Sequence, residues 1–239
     1  MIEKKYLKHV VVIVLIFLGG NIIGQTSEKL LKESFESTFG KQEFEVETNY
    51  RLYKGMEGTK VFENYSGINA KKGNSFYQKI GAMELLIGDN LFVKLNHEDK
   101  EITIGVSNED YSNNMFIDNV SQLLKYYCEG LIINEKGYEV IEMYANPEKN
   151  SDIAKMKIYT KNGKIIKQVF YLSQVKDFSI YEEKKSEKLY DVARLEVEYR
   201  NIKYKTTNSF FEKERYFTIK DNNIILGKEF KDFEFFPAN

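Results

Sequence analysis

Phe44-Glu45-Val46-Glu47-Thr48-Asn49-Tyr50-Arg51-Leu52 is the stretch that decides the fold. Phe44, Val46, Tyr50 and Leu52 alternate with Glu45, Glu47, Asn49 and Arg51, the two-residue period of a half-buried strand. The same reading continues to Val106. Gly55–Gly58, Lys71-Lys72-Gly73-Asn74, Gly88-Asp89-Asn90 and His97-Glu98-Asp99-Lys100 punctuate the apolar runs as turns. Such a ladder predicts one broad antiparallel sheet with two faces to cover.

Working outward, the spacing predicts strands at about 42–54, 60–70, 74–80, 82–88, 90–96 and 101–106. A second series is predicted at about 138–144, 154–160, 164–172, 192–205, 214–220, 223–226 and 230–236. Lys161-Asn162-Gly163-Lys164 is the clearest hairpin turn in the chain. Two amphipathic helices frame the first series. Ser27 can cap a helix over 28–39 that carries Leu31, Phe35, Thr38 and Phe39 on one face and stops at Gly40. The second, over 114–129, repeats Phe116, Val120, Leu123, Leu124 and Tyr127 and stops at Gly130. So many strands exceed what a flat sheet tolerates before it curls. The expected fold is α+β, a strongly curved antiparallel sheet forming an incomplete barrel, with helices covering its concave face.

The N-terminus reads as an address. Lys4, Lys5 and Lys8 precede the unbroken apolar run Val10–Leu18, which is too short for a comfortable membrane span. Residues 1–25 are therefore expected to be a signal peptide cleaved near Gly24 or Gln25, leaving 26–239 as a single domain. Ile22 or Ile23 at the −3 position departs from the small-residue rule, and an uncleaved N-terminal anchor is the alternative. No cysteine lies there to be acylated.

Three lysines and one glutamate leave with that segment. The whole-chain balance of 35 basic to 36 acidic residues then becomes 32 to 35, without the basic excess that nucleic acid requires. Cys128 is the only cysteine, so no internal disulfide forms, and its setting among Leu124, Tyr126 and Tyr127 suggests a small buried hydrophobe. Glu182-Glu183-Lys184-Lys185 reads as a solvated hairpin tip.

Catalytic chemistry finds little support. His97 is the only histidine left after the signal, and its charged turn reads as solvated. No metal-ligand spacing, nucleophile elbow or phosphate loop accompanies it, and Glu98, Asp99 and Glu101 do not form a regular calcium loop. Glu43, Glu45 and Glu47 share one strand face, read as the solvent face. The reading is not an enzyme, with no cofactor and no metal. Seventeen Phe and seventeen Tyr are the positive clue, as core or as the lining of an apolar cavity.

Several phrases resemble the LolA-like family of periplasmic lipoprotein carriers and lipid-binding relatives. Gly67-Ile68-Asn69-Ala70-Lys71-Lys72-Gly73-Asn74-Ser75-Phe76-Tyr77 is similar to one of its strand pairs. Leu86-Ile87-Gly88-Asp89-Asn90-Leu91-Phe92-Val93 resembles its hairpin, and Phe233-Glu234-Phe235-Phe236-Pro237 its last strand. Lys72-Gly73 stands where that family carries Arg-Pro; a lysine does not reproduce a planar bidentate contact. The resemblance implies a signal peptide, a half-barrel under helical lids and a periplasmic carrier of lipid or lipoprotein acyl chains. Membrane contact would be peripheral or transient. The implied ligand-binding residues are Leu31, Phe35, Phe44, Val46, Phe76, Ile80, Phe116, Val120, Leu123, Leu124 and Tyr127. The alternative is a non-catalytic scaffold or sensor module that binds envelope proteins.

Overall fold

A computed structural model describes residues 27–107, 120–128, 130–181, 189–221 and 223–238. The signal segment, Phe116 and the 182–185 charge run lie outside the described residues. Helix α1 spans 27–39, and α2 spans Val120–Tyr126. The rest of the expected second helix, 114–119, is also outside them.

Twelve strands form one sheet. Its first arm is a meander of β1 (Glu43–Lys54), β2 (Val61–Lys72), β3 (Ser75–Ile80), β4 (Met83–Gly88), β5 (Leu91–Asn96) and β6 (Glu101–Gly105). The second is a meander of β7 (Leu131–Glu135), β8 (Tyr138–Tyr144), β9 (Ile153–Lys161), β10 (Lys164–Asp177) and β11 (Tyr190–Lys203). The arms join where β1 pairs antiparallel with β11, so the longest strands make a central seam. The sheet is curved and is not closed into a barrel: β7 forms one edge, and β14 (Glu234–Pro237) the other. β14 runs parallel to β6, a pairing that the antiparallel reading did not contain.

β7 was absent from the expected strands. The Asn162-Gly163 turn forms as predicted, both residues at positive φ, and Lys136-Gly137 repeats that geometry between β7 and β8. The second arm therefore opens with a hairpin the sequence reading passed over.

Between β11 and β14 runs a strap, residues 206–233. It holds short 3-10 turns at Asn208–Phe210 and Lys228–Phe230, one helical turn at Lys213–Tyr216, and a hairpin of β12 (Phe217–Lys220) and β13 (Asn223–Leu226). The expected strand at 214–220 begins as that helical turn, and the one at 230–236 is reduced to β14.

Cross-strand register assigns the faces, because directly paired residues point the same way. Val46, Asn69, Gln78, Leu85 and Lys94 form one such row across β1 to β5. Through the seam the same face carries Tyr199, Val197, Gln168, Phe170, Ile158, Met156, Ile141 and Met143. On it sit α1 and α2, whose Leu31, Phe39, Val120 and Tyr127 share a core with Phe44, Val46, Ile141, Met143, Met156, Ile158 and Ile165. We call this the helix face.

The other face has its own core, on the first arm. Ala70, Tyr77, Leu86, Val93, Leu95, Ile102 and Ile104 pack there against Tyr216, Phe217 and Phe230 of the strap. Tyr77 stacks on Phe210 with ring centroids 4.3 Å apart, and Tyr216 stacks on Phe230 at 5.8 Å. One hydrogen-bonded sheet thus serves its two largest hydrophobic clusters on opposite faces, and only one of them is helical; smaller clusters gather around Leu52, Phe178 and Ala193 and around Val140, Tyr159 and Val169.

α1 is pegged to the sheet by one hydroxyl. The β9–β10 register shifts between Ile165 and Lys167, and the Ile165 N–H donates to Thr38 Oγ1 at 2.8 Å. Thr38 Oγ1 in turn donates to Ser34 O at 2.6 Å. Gly40 follows the helix at a place that needs a glycine: its N–H donates to Glu36 O at 2.9 Å, and a Cβ there would lie 2.4 Å from the same oxygen.

Candidate functional site

The expected ligand-binding residues that are described, all but Phe116, fall on or against the helix face. Leu31, Phe44, Val46, Val120 and Tyr127 are buried in one cluster, with Phe35, Leu123 and Leu124 partly buried around it. Phe39 bridges helix and sheet, its ring 5.6 Å from Phe44 and 5.3 Å from Tyr199. The described part of this region is a packed core. Phe76 and Ile80 lie on the same face of the first arm, outside that cluster.

Phe76 and Ile87, paired across β3 and β4, are buried. Beside them Ile80, Leu85 and Met83 floor an open cleft of 180 Å³ whose wall includes Gln78 and Lys94. Small-molecule pockets run from about 300 to 1,000 Å³, so this cleft alone is too small for a long acyl chain.

A neutral polar band separates the floor from the helix-covered core. Gln78 Nε2 donates to Asn69 Oδ1 at 3.0 Å, and Tyr199 OH donates to Gln168 Oε1 at 2.6 Å. Tyr50 OH lies 3.5 Å from Asn69 Nδ2. Burial, with Tyr50 nearby, pushes the Tyr199 phenol well above its ordinary range. Thr48, only 3% exposed, has no hydrogen-bond partner for its hydroxyl. Buried orphan hydroxyls are costly and uncommon, so this one marks the band as a place where a polar group would be welcome.

The opposite face shows what holds the strap. Glu84, whose side chain is fully buried, takes Arg215 Nη1 at 2.9 Å, His97 Nε2 at 2.9 Å and Lys79 Nζ at 3.8 Å. Burial opposes the Arg215 charge, but Glu84 outweighs it and holds the guanidinium firmly protonated. Burial, reinforced by Glu84, drives the Tyr77 phenol far above its ordinary range. Glu43 accepts from Thr206 N and Oγ1 at 2.8 and 2.7 Å, and Glu45 from Thr207 N and Oγ1 at 3.0 and 2.9 Å. Lys72 Nζ donates to Asn208 Oδ1 at 2.8 Å, so it contacts the strap on the face away from the helices.

Three sequence readings need correction here. His97 is not a solvated turn residue: it pairs with Glu84 and sets its ring edge-on to Phe233 at 5.7 Å. Glu45 does not face solvent, being 7% exposed beneath the strap. Cys128 is exposed rather than a buried hydrophobe, because the chain leaves the helix at Tyr127 to bridge Ala145.

Beyond the strap, the second arm leaves this face uncovered. It is dressed in paired charges: Lys155 with Glu142 at 2.7 Å, Lys157 with Glu135 at 3.2 Å, and Arg51 with Glu198. Lys167 sits 4.0 Å over the Tyr159 ring. At the seam an open cleft of 630 Å³ is lined by Glu47, Asn49, Asn64, Ser66, Lys79 and Arg200. Among the described residues no group of three or more His, Cys, Asp or Glu side chains is placed to hold a metal, and no helix is long and apolar enough to cross a membrane.

Fold and faces together define an open-sheet α+β protein whose two main cores lie on opposite faces. No protein-family model matches the chain, and no curated protein matches it significantly. Solved structures do. A DUF1329 family protein from Desulfovibrio piger is 13% identical, with 79% of this chain and 97% of that one covered and a TM-score of 0.39. An uncharacterized conserved protein from Thermus thermophilus is 9% identical, with 77% and 91% covered and a TM-score of 0.42. A LolA superfamily protein from Nitrosomonas europaea is 11% identical, with 79% and 98% covered and a TM-score of 0.27. The last belongs to the superfamily whose phrases the sequence resembles. At this degree of overlap these structures place no ligand on this chain.

Proposed function

We propose that this protein is an exported, non-enzymatic carrier of acylated molecules, lipid or lipoprotein acyl chains, which it holds on the helix face. The signal segment supports a periplasmic location, with cleavage near Gly24 or Gln25. The observation that carries the reading is the floor of β3 and β4, where Ile80, Leu85 and Met83 line an open cleft on the same face of the sheet as α1 and α2, across the polar band from their core. Because the cleft is small, a long chain enters only if a helix lifts, and α2 is the candidate lid. A buried sixteen-carbon chain, at about 0.8 kcal/mol per CH₂, would contribute roughly 10 kcal/mol before ordering costs, so no charged clamp is needed. The neutral band of Tyr50, Asn69, Gln78 and Thr48 would receive the polar end.

Lipid extraction and native mass spectrometry of protein purified from a cell envelope are expected to find bound acyl lipid; ligand-free protein sinks the reading. Leu124→Glu then tests the lid. In a helix that lifts, the charge escapes to water, so retention of a fluorescent fatty acid falls while the melting temperature changes little. In a fixed helix the buried charge costs several kcal/mol and the melting temperature drops sharply.

A second reading rests on the packed helix-side core. If Leu31, Phe44, Val46 and Tyr127 never separate, the chain is a rigid scaffold or sensor module for envelope proteins. It predicts no lipid, and a stable protein partner in pull-downs.

A further inference from the structure

Two neighbouring rows of cross-strand partners lead from the open cleft into the polar band. The first runs Met83, Ile80, Gly67, Thr48 and Tyr199 across β4, β3, β2, β1 and β11. The second runs Leu85, Gln78, Asn69 and Val46. Gly67 therefore joins the apolar floor at Ile80 directly to Thr48. A Cβ at Gly67 would lie 2.8 Å from Thr48 Oγ1 and 3.2 Å from Tyr50 Cε2, so both side chains close over the glycine. What lies beneath is unsatisfied: Thr48, 3% exposed, has no hydrogen-bond partner for its hydroxyl. The cover is lightly held. Tyr50 is half-buried, and its OH comes no nearer to Asn69 Nδ2 than 3.5 Å, longer than an ordinary hydrogen bond.

Both rows are uncharged as far as β4. The first cation, Lys94, stands on β5 opposite Leu85, three strands from Asn69 or about 14 Å at the usual strand spacing. A carboxylate or phosphate over Gly67 would leave water without a counter-charge, which costs far more than burying a group that only hydrogen-bonds. We propose that the notch over Gly67 is the headgroup site of this carrier, and that it selects an uncharged ester or alcohol head, as in a monoacyl- or diacylglycerol, over a free carboxylate or phosphate. This inference rests on the carrier reading above. The acyl chain lies along Ile80 and Met83, the Tyr50 ring swings outward, and the head takes its place. Thr48 Oγ1 then donates to the ester carbonyl or accepts from a glycerol hydroxyl, and the Asn69 and Gln78 amides offer further donors and acceptors. The same head can come as a free glyceride or as one joined to a polypeptide.

Competition against a fluorescent monoacylglycerol at neutral pH compares three unlabelled probes of one chain length: monoacylglycerol, free fatty acid and acylglycerol phosphate. The monoacylglycerol is expected to compete about tenfold better than either anion, or more. Thr48→Val keeps the shape and removes the hydroxyl. The preference should then shrink by about five- to tenfold, the worth of one hydrogen bond, while the melting temperature holds or rises because an orphan leaves the interior. A purely structural Thr48 would move the melting temperature and leave the preference alone. Mass analysis of envelope-purified protein separates the sources: a free glyceride leaves with solvent, and a joined one stays with a co-purifying polypeptide. Equal competition by the fatty acid overturns the headgroup assignment and leaves the carrier reading standing. So does a preference untouched by Thr48→Val, or an anion preference that Lys94→Gln abolishes. No binding of any probe overturns both.

Discussion

The two arms of this sheet put their largest apolar clusters on opposite sides, although the reverse of the second arm also buries Val140, Tyr159 and Val169. In the second arm Ile141, Met143, Met156 and Ile158 turn toward the helices, and the reverse carries Lys155, Lys157, Glu142 and Tyr159. In the first arm the deep core, Tyr77, Leu86, Val93 and Leu95, turns toward the strap, and the helix side is mixed, with Asn69, Gln78 and Lys94 among Phe76, Ile80 and Leu85. The hydrophobic phase changes at the seam while the hydrogen-bond ladder runs on. The floor of the candidate site is open because the first arm commits its main apolar surface to the other side. An opening in this fold is thus a by-product of where the chain's last segment packs.

If the arms are separately stabilised, damage to one should spare the other. Arg215→Ala leaves Glu84 buried with its weaker partners and should cost about 3–5 kcal/mol. Hydrogen exchange is expected to rise in the strap and in β3–β6 while α1 and β8–β10 stay protected. Uniform loss of protection would show that the two cores unfold together. The mirror experiment is Met156→Ala, which opens a cavity under α1 and should cost about 2–5 kcal/mol in a urea melt, with the strap's exchange unchanged.

Thr38→Val keeps the shape of the helix peg but orphans the Ile165 N–H, at a cost of about 1–3 kcal/mol. That variant should loosen α1 selectively. If it also shifts the strap, the contrast between the arms fails.

The smallest effect separates them by pH. Burial works against ionisation of Glu45, yet hydrogen bonds from Thr207 and Lys203 outweigh it and lower its pKa below the ordinary 4.5. The Thr206 hydrogen bonds lower Glu43 in the same way. A depressed carboxylate stabilises the fold above its unfolded value, and that contribution is lost as pH falls through the folded one. Acidification below 4.5 should therefore release the 206–207 end of the strap, followed by amide exchange at Thr206 and Thr207. Glu45→Gln should flatten that response and leave α1 unmoved.

The strands were legible because period-two alternation is printed locally, and α1 because Leu31, Phe35 and Phe39 recur at helical spacing. The shared face of Phe44, Val46, Phe76 and Ile80 could be read for the same reason. What escaped notice is long-range. Nothing near Glu45 announces that Thr207 will cover it, so an alternating glutamate looks solvated. His97 looked solvated because its partner Glu84 sits across a hairpin and Arg215 comes from the strap. β7 was passed over although Leu131–Ile133 runs into Lys136-Gly137, a turn signal as plain as Asn162-Gly163. The strap's aromatic residues read as strand because aromatics favour strands, whereas most of them pack as short turns.

The seam sets an order of events. Within each arm, most successive strands meet across short turns, and the longest connection is residues 178–189, so their loops close at little entropic cost. β1 meets β11 only when Arg51 finds Glu198, 147 residues further along the chain. Two half-sheets can therefore assemble early, each with a raw edge of twelve or fourteen residues, before the join that hides both. During that interval the outer sides of β1 and β11 are long open edges, and a chain stalled there is open to mispairing with its neighbours.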